Sequence, residues 1–233
     1  MRILLAIPTI DRDCKYFDEF YGRLKNAIEN FTDEIDVLIL TRNQDIEIQK
    51  RWQQVEDIKI VTFENYEIQE RHNLGALVRK RNFAIEYAQL NQYDALWFVD
   101  ADVGVREDTL IRLVQSIEAG SDVVVAPYLI RVYGRPAVGI LGTIHDQPVL
   151  EALWDPHLKE TQEIHFPILL AGFGCTLIDQ RTFDVRCSVR MIATRINGEP
   201  TGLNAEDIGF FMNAYEAGKN AFCISKHLVE HMD

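Results

Sequence analysis

No apolar run in the 233-residue sequence approaches the ~18–20 residues that a membrane span needs. The opening stretch, residues 1–8, holds one arginine among apolar residues and runs straight into Asp11, Arg12 and Asp13 with no cleavage pattern. A strand is expected there rather than a secretory leader. The sequence closes two residues after His231, so no membrane helix or extra acceptor domain is expected to follow, and the expected compartment is the cytoplasm. Positive charge is scarce: 24 Lys and Arg against 36 Asp and Glu give a net charge of −12. That balance excludes a nucleic-acid coat, which needs clustered bases, and leaves room only for a local basic pocket. The four cysteines, Cys14, Cys175, Cys187 and Cys223, form no C-x-x-C pair. A zinc knuckle and a thioredoxin-type site are thereby excluded; free thiols are expected, with a disulfide left open. Internal repeats, low-complexity tracts and Gly/Ser/Pro linkers are all lacking, so nothing divides the chain.

What is present is an ordinary globular composition, 47% apolar and 26% charged, enough for one real core. Apolar strand-like runs alternate with helical periodicity. Strands are expected at Arg2–Ile7, Ile35–Leu40, Ile58–Phe63, Ala95–Val99 and Val123–Ala126. Helices are expected at Tyr16–Asn30, Asp45–Val55, Leu74–Leu90 and Arg106–Ile117. Repeated strand–helix–strand units imply right-handed crossovers and a parallel sheet, with ligands at the carboxyl ends of its strands. Beyond Pro127 the pattern loosens into extended segments, an ambiguous His145–His165 stretch, a helix at Glu206–Ala217 and a last strand at Ala221–Ser225. A single domain, residues 1–233, with two functional halves is expected, about 1–126 and about 127–233.

Four local patterns carry chemistry. Asp100 and Asp102 follow the apolar Ala95–Val99 run; two residues apart in extended chain, their carboxylates project to one side, which suits a hard divalent cation. Helix capping by Asp102 is the plainer alternative. Asn73-Leu74-Gly75, followed by Arg79, Arg81 and Asn82, opens a helix and suits an anionic group, or else forms a solvated basic face. Glu206-Asp207 starts a helix, either as chemistry or as acids in a first turn. His227 and His231 close the sequence, on one face if the segment is a strand.

In this order the patterns resemble GT-A nucleotide-sugar-dependent glycosyltransferases, closest to family-two-like enzymes. The matching pieces are Ile7-Pro8-Thr9, Asn73-x-Gly75 with Arg81-Asn82, Asp100-Ala101-Asp102, Ala171-Gly172-Phe173-Gly174, Glu206-Asp207 and Glu230-His231. The resemblance implies an α/β fold with a mixed, mostly parallel Rossmann-like sheet flanked by helices. It implies transfer of a sugar from a UDP- or GDP-linked donor to a glycan or other hydroxyl acceptor, with inversion. It implies Mn²⁺ or Mg²⁺ held by Asp102 and His231, with Asp100 bound through water or touching the ribose; His227 competes with His231. Pro8, Thr9, Arg71 and Arg79 are expected to line the nucleotide pocket. Gly172 and Phe173 are expected to meet the acceptor, the ring of Phe173 offering a flat face to a sugar. Asp207 is expected to be the base and Glu206 its supporter. One departure stands out: Thr41-Arg42-Asn43, with Asp45 slightly later, occupies the place where the family often carries acids against the base. Nucleotidyl transfer onto a sugar phosphate is a rival reading, but the glycine-free Pro8–Asp13 segment lacks its phosphate loop. A non-catalytic nucleotide-sugar-binding module is the other rival.

Overall fold

The structure, a computed structural model, describes residues 1–64, 74–130, 135–136, 138–144, 147–152, 165–168, 170–196, 199–224 and 229–232. Its first half follows the hydrophobic periods closely. Strand β1 (Arg2–Pro8) is followed by a short 3₁₀ turn at Asp11–Tyr16 and helix α1 (Phe17–Glu29). Strand β2 (Glu34–Arg42), helix α2 (Ile46–Trp52), strand β3 (Ile58–Phe63), helix α3 (Leu74–Leu90), strand β4 (Ala95–Val99) and helix α4 (Thr109–Glu118) come next. Asp11 lies in the 3₁₀ turn, and its Oδ1 accepts the Ile48 N–H at 3.0 Å, tying that turn to α2.

β1 runs parallel to β2 on one side and to β4 on the other, and β2 is parallel to β3. The strand Cys175–Asp179 then inserts antiparallel between β4 and Val123–Val125. Ala221–Ile224 pairs parallel with Val123–Val125, and His165–Pro167 closes the edge antiparallel. The product is an eight-stranded mixed sheet. β4 is buried along its whole length, because the sheet is covered on both faces. Ile3, Leu5, Ile7 and Trp97 pack against α1 and α4; Leu4, Ala6, Leu96 and Phe98 pack against α3 and the last helix, α5 (Glu206–Glu216). Each of the Ile, Leu and Phe side chains among them contributes about 1.5–3 kcal/mol when fully buried.

Smaller pieces sit on the second half. A hairpin joins Arg190–Ile196 to Glu199–Ala205, and Val138–Ile144 pairs with both Gln147–Ala152 and Leu170–Ala171. Part of the ambiguous His145–His165 stretch is thus a strand. No helix among the described residues is long and apolar enough to cross a membrane. All four cysteines are free thiols, three of them buried.

Helix α5 depends on one close approach. A Cβ at Gly209 would collide with the Ser188 carbonyl oxygen, a backbone atom that cannot swing aside. In a free helix alanine is better than glycine by about 1 kcal/mol. Here the sign is expected to reverse: Gly209→Ala destabilises the fold by about 1–3 kcal/mol or more, the cost of overpacking. A melting temperature unchanged or raised in Gly209→Ala would contradict the contact.

Candidate active site

The carboxyl ends of β1 and β4 open onto a cleft of about 240 Å³. Pro8 and Thr9 supply its floor from the end of β1, and Thr9 N–H continues the ladder to Leu40 O at 3.0 Å. Asp100 and Asp102 supply one rim; Ala76, Leu77 and Lys80 on α3 supply another. Ile10, Arg12, Asp13 and Arg42 line it as well. The Asp13 carboxylate accepts from the Ile10 N–H at 2.9 Å and the Thr9 hydroxyl at 3.2 Å, and its burial pushes its pKa up against those bonds. Arg42 is held by Asp45 through two bonds of 2.6 Å. Burial would raise the Asp45 carboxyl, but Arg42 and the Asp11 N–H together more than offset it and the pKa is lowered.

Lys80 and Arg81 share the α3 stripe that carries Leu77, Ala84, Ile85 and Ala88, and both are buried. The solvated-face alternative therefore does not hold for this part of the helix. Arg79, expected in the pocket, is exposed and does not line the cleft. Arg71, Asn73 and His227 lie outside the described residues.

Arg81, 1% exposed, joins the two halves of the chain. Its Nη2 donates to Asp100 Oδ1 at 3.0 Å and its Nε to Glu206 Oε1 at 3.2 Å. The guanidinium lies 4.5 Å from the ring centre of Phe173 and 5.2 Å from that of Phe98. Burial alone would lower the Arg81 pKa; Asp100 and Glu206 raise it further than burial lowers it, so its charge is fixed. Its Nη1 is buried with no hydrogen-bond partner among the described residues. Asn82, beside it, is structural: it exchanges bonds with the Cys187 backbone at 2.7 and 3.0 Å.

Asp207 follows Glu206 at the start of α5 and is partly buried. Its Oδ1 accepts the Ile208 N–H at 2.7 Å. Burial raises its pKa most, the neighbouring Glu206 next; the Ile208 N–H and Arg81 pull the other way, and the result is about 7. A helix start by itself favours the ionised carboxylate. Desolvation and a like charge outweigh the dipole.

Two expectations for the glycine segment are corrected. Phe173 is 1% exposed and packs on Phe98, Phe210 and Phe211, with centroids 4.9–5.8 Å away, so its ring offers no face to a sugar. The space beside Gly172 and Gly174 is taken by the ring of Tyr128: a Cβ at Gly172 would sit 2.8 Å from its Cζ. The segment's role is to admit this tyrosine and to give the Gly174 carbonyl to Asp100 N–H at 3.0 Å. Burial, then Asp100 and Asp207, hold the Tyr128 phenol well above its ordinary pKa. Tyr128 and Lys80 are both site residues that sequence reasoning passed over. Lys80 was findable from its place on the apolar stripe of α3; Tyr128 carried no local signal.

The tail returns to the site as the strand Glu230–His231, antiparallel to Val103–Gly104 with His231 opposite Val103. The Met232 N–H donates to Asp102 O at 2.7 Å, so the backbone of residue 231 is adjacent to the Asp102 turn. Glu230 itself pairs with Arg23 of α1 at 2.6 Å. Among the described residues no group of three or more His, Cys, Asp or Glu side chains converges as a ready-made metal site. The donors that do line the cleft, Asp13, Asp100 and Asp102, are carboxylate oxygens. They suit a hard cation whose remaining ligands come from elsewhere, such as phosphate oxygens.

No protein-family profile matches the chain. Over nearly its whole length (99%) it is 24% identical to an uncharacterized protein of African swine fever virus from a tick isolate of Malawi, all of which is covered. Among solved structures, TarS from S. aureus in complex with UDP superposes with a TM-score of 0.59 at 18% identity, over 100% of this chain and 61% of that one. The mannosyltransferase PcManGT from Pyrobaculum calidifontis, in complex with GDP-Man and Mn²⁺, superposes with a TM-score of 0.53 at 13% identity, over 98% and 56% of the two chains. The fold is that of GT-A glycosyltransferases: a single α/β domain whose mixed sheet is flanked by helices.

Proposed function

We propose that the protein is a metal-dependent glycosyltransferase, moving a sugar from a UDP- or GDP-linked donor to a hydroxyl of a glycan or other acceptor with inversion. The observation that carries the reading is the joining, through one buried arginine, of the cleft carboxylate Asp100 to the Glu206–Asp207 pair. Pro8, Thr9 and Asp100 bind the nucleotide, and Arg71, outside the described residues, is a further contact; Arg79, exposed and away from the cleft, is not one of the set. Mn²⁺ or Mg²⁺ fits the oxygen donors of Asp102 and Asp100, with His231 as a third ligand, and when bound it neutralises charge on the leaving diphosphate. Asp207, with a pKa of about 7, takes the acceptor proton, and Glu206 orients it. The first half of the chain thus serves the donor and the second half the acceptor. The UDP and GDP-Man complexes of the two fold neighbours support the donor class.

A thermal-shift panel of nucleotide sugars, with and without Mn²⁺, tests donor binding. A ligand at a hundredfold excess over Kd stabilises the native state by about 2.7 kcal/mol. A UDP- or GDP-sugar is expected to raise the melting temperature, and more so with Mn²⁺. Asp102→Asn is expected to abolish the Mn²⁺-dependent increment while keeping the fold. A panel in which no nucleotide sugar shifts the wild-type protein would defeat the reading, and an unaltered increment in Asp102→Asn would defeat the metal assignment.

A further inference from the structure

The cleft contains a cation that its surroundings leave underused. Lys80 is 4% exposed and lines the cleft beside Ala76 and Leu77, one turn earlier on α3. Among the described residues its Nζ makes one hydrogen bond, donating to Thr9 O at 3.2 Å, and pairs with no carboxylate. An ammonium carries three donor protons, so two are unspent. Burial without a paired anion is costly for a charge, and structures keep such groups where a ligand completes them. Among the described residues, the other cations at the cleft are committed or solvated. Arg42 is tied down twice by Asp45, and the side chain of Arg12 is 74% exposed. Burial lowers the Lys80 pKa to about 8, against the pull of Asp45 and Asp13. The group stays charged at neutral pH, and a bound anion would hold that charge more firmly.

We propose that Lys80 is the resident cation of this cleft and donates to a non-bridging oxygen of a diphosphate, so that diphosphate binding persists in part without a metal ion. The inference rests on the nucleotide-sugar reading above and adds to it the group that receives the phosphates. Its position favours that role: Nζ is anchored on the carbonyl at the carboxyl end of β1, where the floor of the cleft meets the α3 rim. A charge-assisted hydrogen bond from a buried donor accounts for roughly 10–100-fold in affinity.

The test is calorimetric titration of inorganic pyrophosphate, UDP, GDP and uridine into the wild type, Lys80→Met and Lys80→Arg, each in EDTA and in Mn²⁺. Methionine fills the same stem without the charge, so Lys80→Met is expected to fold with an equal or higher melting temperature; Lys80→Arg guards against a packing defect. In EDTA, Lys80→Met is expected to bind pyrophosphate, UDP and GDP at least ~10-fold more weakly than the wild type, with uridine unchanged and Lys80→Arg in between. A purely structural lysine would move uridine and the diphosphates together, and that result overturns the proposal. Equal diphosphate affinity in the wild type and Lys80→Met overturns it too, while leaving sugar transfer standing. Loss of pyrophosphate binding in Lys80→Met from a protein that turns over no nucleotide sugar upholds Lys80 and defeats the transfer reading. A wild type that binds none of the diphosphates defeats both.

Discussion

Asp207→Asn is expected to fold, to bind donor, and to lose roughly 10²–10⁴-fold in kcat, the usual worth of a positioned base. The same change is expected to make the protein more stable at pH 8. The sign follows from the raised pKa. A carboxyl that titrates at about 7 in the native state and near 3.8 when unfolded contributes fully to stability below the unfolded value. That contribution is lost as pH climbs towards 7, where the native state must hold an ionised carboxylate in a desolvated place beside Glu206. Asparagine removes that cost, so the melting temperature of Asp207→Asn should exceed the wild type's at pH 8 and lose the advantage near pH 4. The size is on the order of a few kcal/mol. The wild-type kcat should rise with pH through about 7 as the base is freed. Capping alone makes the opposite forecast, since asparagine caps a helix about as well as aspartate and should leave turnover intact. Substantial turnover in a folded Asp207→Asn protein would remove Asp207 from the chemistry.

The largest effect on stability is expected from Arg81. Its removal leaves Asp100 and Glu206 as unpaired carboxylates, the second of them 5% exposed, in a region packed with Phe98 and Phe173. Breaking a buried pair by deleting one partner costs about 3–5 kcal/mol. Arg81→Met should therefore shift the urea midpoint strongly downward, and adding Glu206→Gln should recover part of the loss by neutralising one stranded charge. Arg81 also lowers the Asp207 pKa, so the acid limb of any residual pH–rate profile should move to higher pH. A urea midpoint unchanged in Arg81→Met would mean that the bridge is not an organising element.

Much of the first half of this fold is written in local pattern. The runs Ile58–Phe63, Leu74–Leu90 and Ala95–Val99 become β3, α3 and β4 at the very residues their periods indicate. Each is bounded by polar or turn residues, and each meets a sheet whose strands follow in sequence. The second half resists such reading for a physical reason: its pairings are long-range. Cys175–Asp179 enters the sheet between two strands formed some fifty to eighty residues earlier, a placement no local period encodes. The Arg190–Ile196 and Glu199–Ala205 hairpin is rich in polar residues and has no alternation strong enough to announce it. At the site, the order of acidic pairs was legible, and so was the carboxyl edge of the sheet. What was not legible was which side chains burial would choose. On α5 the aromatic Tyr215 is exposed while Phe210 is buried, a choice that residue type alone does not make. Phe173 was read as a platform for sugar and is core. Lys80 was read past in favour of Arg79, although its spacing from Leu77 and Ala84 put it on the buried stripe.

The proposed function is sugar transfer by the Glu206–Asp207 pair from a donor held at the Asp100–Asp102 edge. The most direct measurement is release of free nucleoside diphosphate from a panel of UDP- and GDP-sugars with mixed hydroxyl acceptors and Mn²⁺, run side by side on the wild type and Asp207→Asn, with the anomeric configuration of any product read by NMR. Release by the wild type on one donor, a product of inverted configuration, and release reduced about 10²–10⁴-fold in Asp207→Asn are expected. Binding of a nucleotide sugar with no release on any acceptor, or a product of retained configuration, would contradict the proposed function.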